Sequence, residues 1–315
     1  MTTNLDPSPD PAAGIPPTGG EPVGTVVGID GSPGAAHALA WAVRRADRFG
    51  PIRPVFAWEY PVLAFAGPMQ PGPPLSSYEH FEDAARRLAA ESVAEVPAGA
   101  SAPVSVVNGP PAATLVELAA SAGLLVVGTR GRSAPADILL GSVSGRVVRT
   151  ASVPVVVVPE SVLVEDTHRR VVVGVDGSAN SIAALAWALR HAPTDSVVEA
   201  VYVWSHLVSV TPVPPYVVPT ETSKEAAGKV LARAVDAAHR TSGVDRRVEA
   251  TLDYGDDPRN LLVDHSVDAD LLVLGARGRG GVSHLVLGSV TTSLLHRPQV
   301  TTVVVPAVAD GEDDG

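Results

Sequence analysis

At 315 residues, with 45% hydrophobic and 18% charged side chains, the chain can bury two cores of ordinary size and falls outside the disordered class. Its formal net charge is −11, but seven acidic residues (Asp6, Asp10, Glu21, Asp310, Glu312, Asp313 and Asp314) lie in the tails. The remaining −4 on the body excludes the basic footprint of a nucleic-acid binder. The absence of cysteine excludes disulfides and thiol catalysis.

Residues 1–23 read as a Pro/Gly-rich disordered leader without the basic and apolar regions of a signal peptide. No apolar run reaches the roughly 18 residues of a membrane span, so a soluble, cytoplasmic protein is expected. Thr25–Ile29 reads as a short buried strand ending at Asp30-Gly31-Ser32. The helix after it has Ala36, Leu39, Ala40, Val43 and Ala46 on one stripe. A strand follows over Ile52–Trp58, then a long Pro/Gly-rich loop over 59–77 carrying Phe65 and Met69. Next come a helix from about Tyr78 to Glu95 and a strand at Val104–Val107. The turn Asn108-Gly109-Pro110-Pro111 opens a helix ending near Ser121. After it come the strand Leu124–Val127, the loop Gly128-Thr129-Arg130-Gly131, a helix near Val143–Thr150 and the strand Val155–Val158.

From Arg170 the series starts again. Asp176-Gly177-Ser178 repeats Asp30-Gly31-Ser32 at a displacement of 146, and Trp187 and Trp204 repeat Trp41 and Trp58 at the same displacement. After one extra residue, Gly275 and Gly288 repeat Gly128 and Gly141 at 147, and Thr302–Pro306 answers to Val155–Pro159. The polar stretch 160–168 reads as a linker. This is a tandem duplication, predicted as two domains at 24–159 and 169–306 with an acidic tail at 307–315. The period is far too long for a solenoid.

Each repeat alternates strand and helix, and its near-continuous Val/Ile/Leu strands imply burial on both faces. The predicted class is therefore α/β, with two tandem Rossmann-like domains built on parallel, doubly wound sheets. Ligands of such sheets sit beyond the carboxyl ends of the strands. Asp30 and the first glycine loop share that edge, as do Asp176 and the second.

Asp-Gly-Ser before a helix is good turn and cap chemistry without any ligand. The competing reading is a carboxylate that accepts from a ribose hydroxyl or helps hold a divalent cation, and recurrence beside a glycine loop in both repeats favours it. A lone G-x-x-G is weak, but Gly128-x2-Gly131-x9-Gly141-Ser142 recurs as Gly275-x2-Gly278-x9-Gly288-Ser289, which is much more specific. Such a loop can aim backbone N–H groups at a phosphate. Ser142 and Ser289 read either as N-caps or as phosphate contacts. Arg130, Arg132, Arg277 and Arg279 are candidates for charge-assisted bonds to phosphate. The histidines show no metal-ligand spacing, the tryptophans read as packing, and neither a G-x4-G-K-[ST] loop nor a G-x-S-x-G elbow is present.

These motifs resemble the universal stress protein family, in its ATP-binding, tandem-domain, actinobacterial form. The resemblance covers nearly everything but the tails. It implies a five-stranded sheet of order 3-2-1-4-5 in each domain, with helices on both faces, and homodimer contacts through the fifth strands Val155–Val158 and Thr302–Val305. It implies ATP as ligand, with or without Mg²⁺; no general base and no metal-ligand spacing is evident in the sequence, so no catalytic or metal-ligating residue is expected. Asp30 and Asp176 would lie at the ribose and adenine, and Ala57 and Val203 would meet adenine through backbone groups. Gly128, Gly131, Gly141, Ser142 and Val143 would cradle ribose and phosphates in the first repeat. Gly275, Gly278, Gly288, Ser289 and Val290 would do so in the second. The first loop departs from the pattern with Pro135, which removes a backbone donor, and with the negative Asp137.

A helix N-terminus contributes roughly 0.3–2 kcal/mol to an anion, whereas micromolar binding needs about 8. A loop alone cannot hold ATP, so the adenine pocket and the aspartate have to contribute. The expected function is a nucleotide-dependent regulator of stress adaptation or growth arrest, without efficient hydrolysis. A slow ATPase or autophosphorylating enzyme, and an interaction scaffold with vestigial sites, are the alternatives.

Overall fold

The computed structural model describes residues 24–59, 75–96, 103–131, 140–161, 169–205, 221–278 and 287–307. The predicted leader, the 60–74 part of the long loop and the acidic tail from 308 lie outside them. The chain packs as two units, one of Gly20–Thr167 with Thr292–Pro306, the other holding His168–Thr291.

The first repeat runs β1 (Thr25–Gly28), α1 (Pro33–Val43), α2 (Ala46–Phe49), β2 (Ile52–Trp58), α3 (Leu75–Ala94), β3 (Ser105–Asn108), α4 (Pro111–Ala119), β4 (Leu124–Gly128), α5 (Ser142–Thr150) and β5 (Val155–Val158). The second runs β6 (Arg170–Gly174), α6 (Ala179–His191), β7 (Val197–Trp204), α7 (Glu221–Ser242), β8 (Val248–Tyr254), α8 (Pro258–Ser266), β9 (Leu271–Gly275), α9 (Ser289–Leu295) and β10 (Thr302–Val305). The class is α/β, as expected. Among the described residues no helix is long and apolar enough to cross a membrane.

In the first unit the strands lie β3-β2-β1-β4-β5, all parallel. The second carries the matching parallel run β8-β7-β6-β9. In each, the chain order reverses around the first strand of the repeat, which places a crevice at the strand ends there. β10 closes the second sequence repeat but groups with the first unit, where Thr302, Val303 and Val304 pair antiparallel with Val157, Val156 and Val155. The family resemblance implied that these two strands would meet a second copy of the chain. Instead, β10 covers the outer edge of β5 within one chain, which removes an exposed row of unpaired N–H and C=O groups.

Strand burial follows composition. Val155–Val158 and Leu124–Val127 are all at most 3% exposed, as a sheet covered on both faces requires. The α1 stripe is shifted from the predicted one. Ala35, Ala38, Leu39 and Ala42 are buried, Ala36, Ala40 and Val43 are not, and Ala46 lies in the separate α2. Alanine on both sides of the stripe makes the helical period legible but not its phase. Trp41 stacks on Phe49 at 5.7 Å under the Arg45 guanidinium, and Trp204 meets Tyr254 edge-on at 5.0 Å, so these tryptophans pack.

A buried charge sits in β7 of the second unit. The Glu199 carboxylate, 6% exposed as a residue, accepts from Arg170 Nε (3.0 Å) and Nη2 (2.6 Å) and from Thr251 Oγ1 (2.7 Å). His265 Nδ1 lies 3.5 Å from it, and His265 Nε2 lies 3.1 Å from Asp253 Oδ2. Burial by itself raises the affinity of Glu199 for a proton. The hydrogen bonds from Thr251 and Arg170, with the charges of Arg170 and His265, outweigh burial and hold the carboxyl below its ordinary range.

A carboxyl whose pKa is depressed by folding stabilises the fold above its unfolded value, about 4.3, and that contribution disappears as pH falls through the folded value. Unfolding by urea should therefore show stability dropping from about pH 5 towards pH 3, with a smaller drop for Glu199→Gln. An unchanged slope in that variant would locate the acid sensitivity elsewhere. Arg170→Met should cost about 2 kcal/mol at neutral pH, because it strips a buried carboxylate of its charged donor.

Candidate functional site

Each site begins where the first strand of its repeat ends. Gly31 and Gly177 take φ of 78° and 79°, the left-handed turn that reverses the chain after the aspartate. Asp30 Oδ1 accepts from Ser32 N at 3.0 Å; Asp176 Oδ1 accepts from Ser178 N at 2.9 Å and from Ser178 Oγ at 2.6 Å. Ser32 and Ser178 in turn cap α1 and α6, accepting from Ala35 N and Ser181 N at 3.2 Å. The turn-and-cap role of Asp-Gly-Ser is thus real and engages one carboxylate oxygen.

The other oxygen faces the glycine loop. A Cβ built on Gly131 would stand 2.5 Å from Asp30 Oδ2, and one on Gly278 would stand 2.5 Å from Asp176 Oδ2. A methyl group fits there only if the carboxylate swings aside, so the second glycine of each G-x-x-G lets the aspartate keep its place against the loop. The far end of the loop is pinned as well. Gly141 N donates to the Thr129 carbonyl and Gly288 N to the Ala276 carbonyl, both at 2.7 Å. Ser144 Oγ donates to the Thr129 carbonyl at 2.8 Å, and Thr291 Oγ1 to the Gly275 carbonyl at 2.8 Å.

Ser142 and Ser289 are not N-caps. Gly141 is the cap residue of α5, and Ser142 and Ser289 are the first helical residues of α5 and α9. Both serines are exposed. Ala57 and Val203 lie two residues past the end of one ladder, since β1–β2 pairing stops at Gly28 with Val55 and β6–β7 pairing at Gly174 with Val201, while on their other side they stay in register with Val107 of β3 and Asp253 of β8.

These groups surround a cavity in each repeat. The first, about 460 Å³, brings together Asp30, Ala57, Gly128, Gly131, Gly141, Ser142 and Val143. The second, about 300 Å³, brings together Asp176, Val203, Gly275, Gly278, Gly288, Ser289 and Val290. Arg132 and Arg279 lie outside the described residues, as do Pro135 and Asp137. The walls also contain residues that motif reading missed: Val55, Pro111 and Leu115 in the first, and Val201, Pro258 and Leu262 in the second. They form the apolar side, and their recurrence at 146 or 147 residues was the available signal. Arg130 and Arg277 line the cavities too, in different states. Arg130 Nη2 donates to Glu160 Oε2 at 3.0 Å, whereas Arg277 Nε is buried without a hydrogen-bond partner.

The chain as a whole is similar to known proteins. The model of the universal stress protein family matches residues 25–159 and 167–306. A universal stress protein of Mycobacterium tuberculosis (strain ATCC 25618 / H37Rv) is 35% identical over 299 residues, covering 89% of this chain and 96% of its own length. A second from that strain is 32% identical over 300 residues, covering 91% and 97%. In three dimensions the chain is similar to a universal stress protein from Archaeoglobus fulgidus, with TM-score 0.64 and 21% identity over 91% of this chain and 99% of the other. That similarity is one of fold.

The caps give a test of the local geometry. Ser178→Ala removes the α6 cap and a donor to Asp176, and should cost about 1–2 kcal/mol in urea unfolding. Ser178→Thr, which keeps the hydroxyl, should restore most of it.

Proposed function

This chain belongs to the universal stress protein family, and on that premise we propose that it is an ATP-binding regulator. Each repeat, 24–159 and 169–306, holds one nucleotide, whose occupancy changes conformation or partner choice. The observation that carries this reading is one cavity per repeat at the sheet's switch point, formed by a carboxylate, a glycine loop and the stretch of β2 or β7 that runs on beyond its pairing with β1 or β6. Volumes of about 460 and 300 Å³ lie within the range of small-molecule pockets, roughly 300–1,000 Å³.

In this reading the backbone of Ala57 and Val203 meets adenine, with Val55, Leu115, Val201 and Leu262 supplying apolar contact. Asp30 and Asp176 accept from the ribose, and Gly128, Gly131, Gly141, Ser142 and Val143, with Gly275, Gly278, Gly288, Ser289 and Val290 in the second repeat, surround the phosphates. The apolar wall supplies what a glycine loop lacks, since micromolar affinity needs about 8 kcal/mol. One oxygen of each aspartate is engaged by its own turn, an arrangement better suited to holding a ligand than to activating water. Turnover should be slow or absent, with or without Mg²⁺. The setting is the cytoplasm, and a homodimer would use a surface other than the β5 edge that β10 covers.

Equilibrium dialysis with labelled ATP should find two sites per chain. Gly131→Ala and Gly278→Ala should each abolish one, because the added methyl pushes away a carboxylate that can swing aside without unfolding the domain. Undiminished binding in the folded double variant would mean that ATP lies elsewhere. Phosphate release that persists in that double variant would be traced to a contaminant.

A further inference from the structure

The two cavities differ at one cation. Arg130 and Arg277 occupy the same place in the G-x-x-G loops of the two repeats, and each lines its cavity. Arg130 is held in an ion pair by Glu160, just beyond β5, at 3.0 Å. At the displacement of 147 that relates β5 to β10, the counterpart of Glu160 is Ala307. Among the described residues no carboxylate pairs with Arg277, and its Nε is buried without a partner. A ligand phosphate entering the second cavity therefore meets a guanidinium able to donate at once. One entering the first meets a guanidinium already engaged, with a carboxylate beside it that repels the phosphate.

We propose that Glu160 makes the sites unequal: it competes with ligand phosphates for Arg130, so the second cavity takes a polyphosphate nucleotide first and the first fills at higher concentration. This rests on the nucleotide-binding reading above and adds an order of filling to it. The pair is partly exposed, with side chains 31% and 38% accessible, so it biases the first site without closing it. Breaking such a pair changes affinity by about two- to fivefold. The second cavity is also the smaller, so volume alone would not assign it the larger anion.

The test is isothermal titration calorimetry of the full chain with ATP and with adenosine. Gly278→Ala isolates the first cavity and Gly131→Ala the second. The second cavity should bind ATP more tightly than the first, while adenosine, which has no phosphate, shows no such preference. Glu160→Gln should raise the ATP affinity of the first cavity about two- to fivefold and leave adenosine unchanged. Ala307→Glu should lower the ATP affinity of the second. If both cavities bind ATP and Glu160→Gln changes nothing, or strengthens adenosine equally, the ordering is wrong and the nucleotide reading stands. If neither cavity binds ATP, both fall.

Discussion

The glycine loop after the fourth strand of each repeat lies against the aspartate that ends the first strand because no side chain stands between them. A methyl group on Gly131 or Gly278 would come within 2.5 Å of a carboxylate oxygen. That close approach joins two adjacent strand ends, β1 with β4 and β6 with β9, and makes the mouth of the cavity. Everything else in the site is arranged around it. The turn serine orients the carboxylate, the Gly141 and Gly288 N–H bonds close the far end of each loop, and the apolar side comes from β2 and α4 or β7 and α8.

The duplication makes each repeat a control for the other. Groups that recur with the same geometry, such as the Asp–Gly contact and the cap serines, belong to a common design. Groups that differ mark where the repeats have diverged. Arg53 stands where the second repeat has Glu199, and bonds Ser105 Oγ where Glu199 accepts from Thr251. The buried Arg170–Glu199–Thr251 network is thus confined to one unit. Glu160 and Ala307 are the other informative difference, because they act on a cation that lines the cavity.

The pairing of β5 with β10 bears on how such a chain meets a copy of itself. An exposed edge made only of valine carries none of the charged or proline residues that keep other strands from pairing with it. A tandem chain brings its own second strand. The antiparallel register, from Val155 beside Val304 to Val157 beside Thr302, needs no partner molecule.

Much of the fold was legible because its signals are local and occur twice. Valine-rich strands, helical spacing and Pro/Gly turns located the elements, and the recurrence of Asp-Gly-Ser and G-x2-G-x9-G-S singled out the candidate residues that line the cavities. Three features depended on tertiary packing. The phase of the α1 stripe could not be read where alanines flank it on both sides, because only the neighbouring sheet decides which of them is covered. The destination of β10 depended on which edge was free, and the state of Arg130 on Glu160, thirty residues away in the chain. By itself, then, the sequence determined the repeat, the α/β class and the candidate ligand residues, all of which are patterns of neighbouring side chains. The structure decided which strand edge is covered, which carboxylate the second glycine of each loop makes room for, and which arginine is already paired. These are facts of distance between segments far apart in the chain.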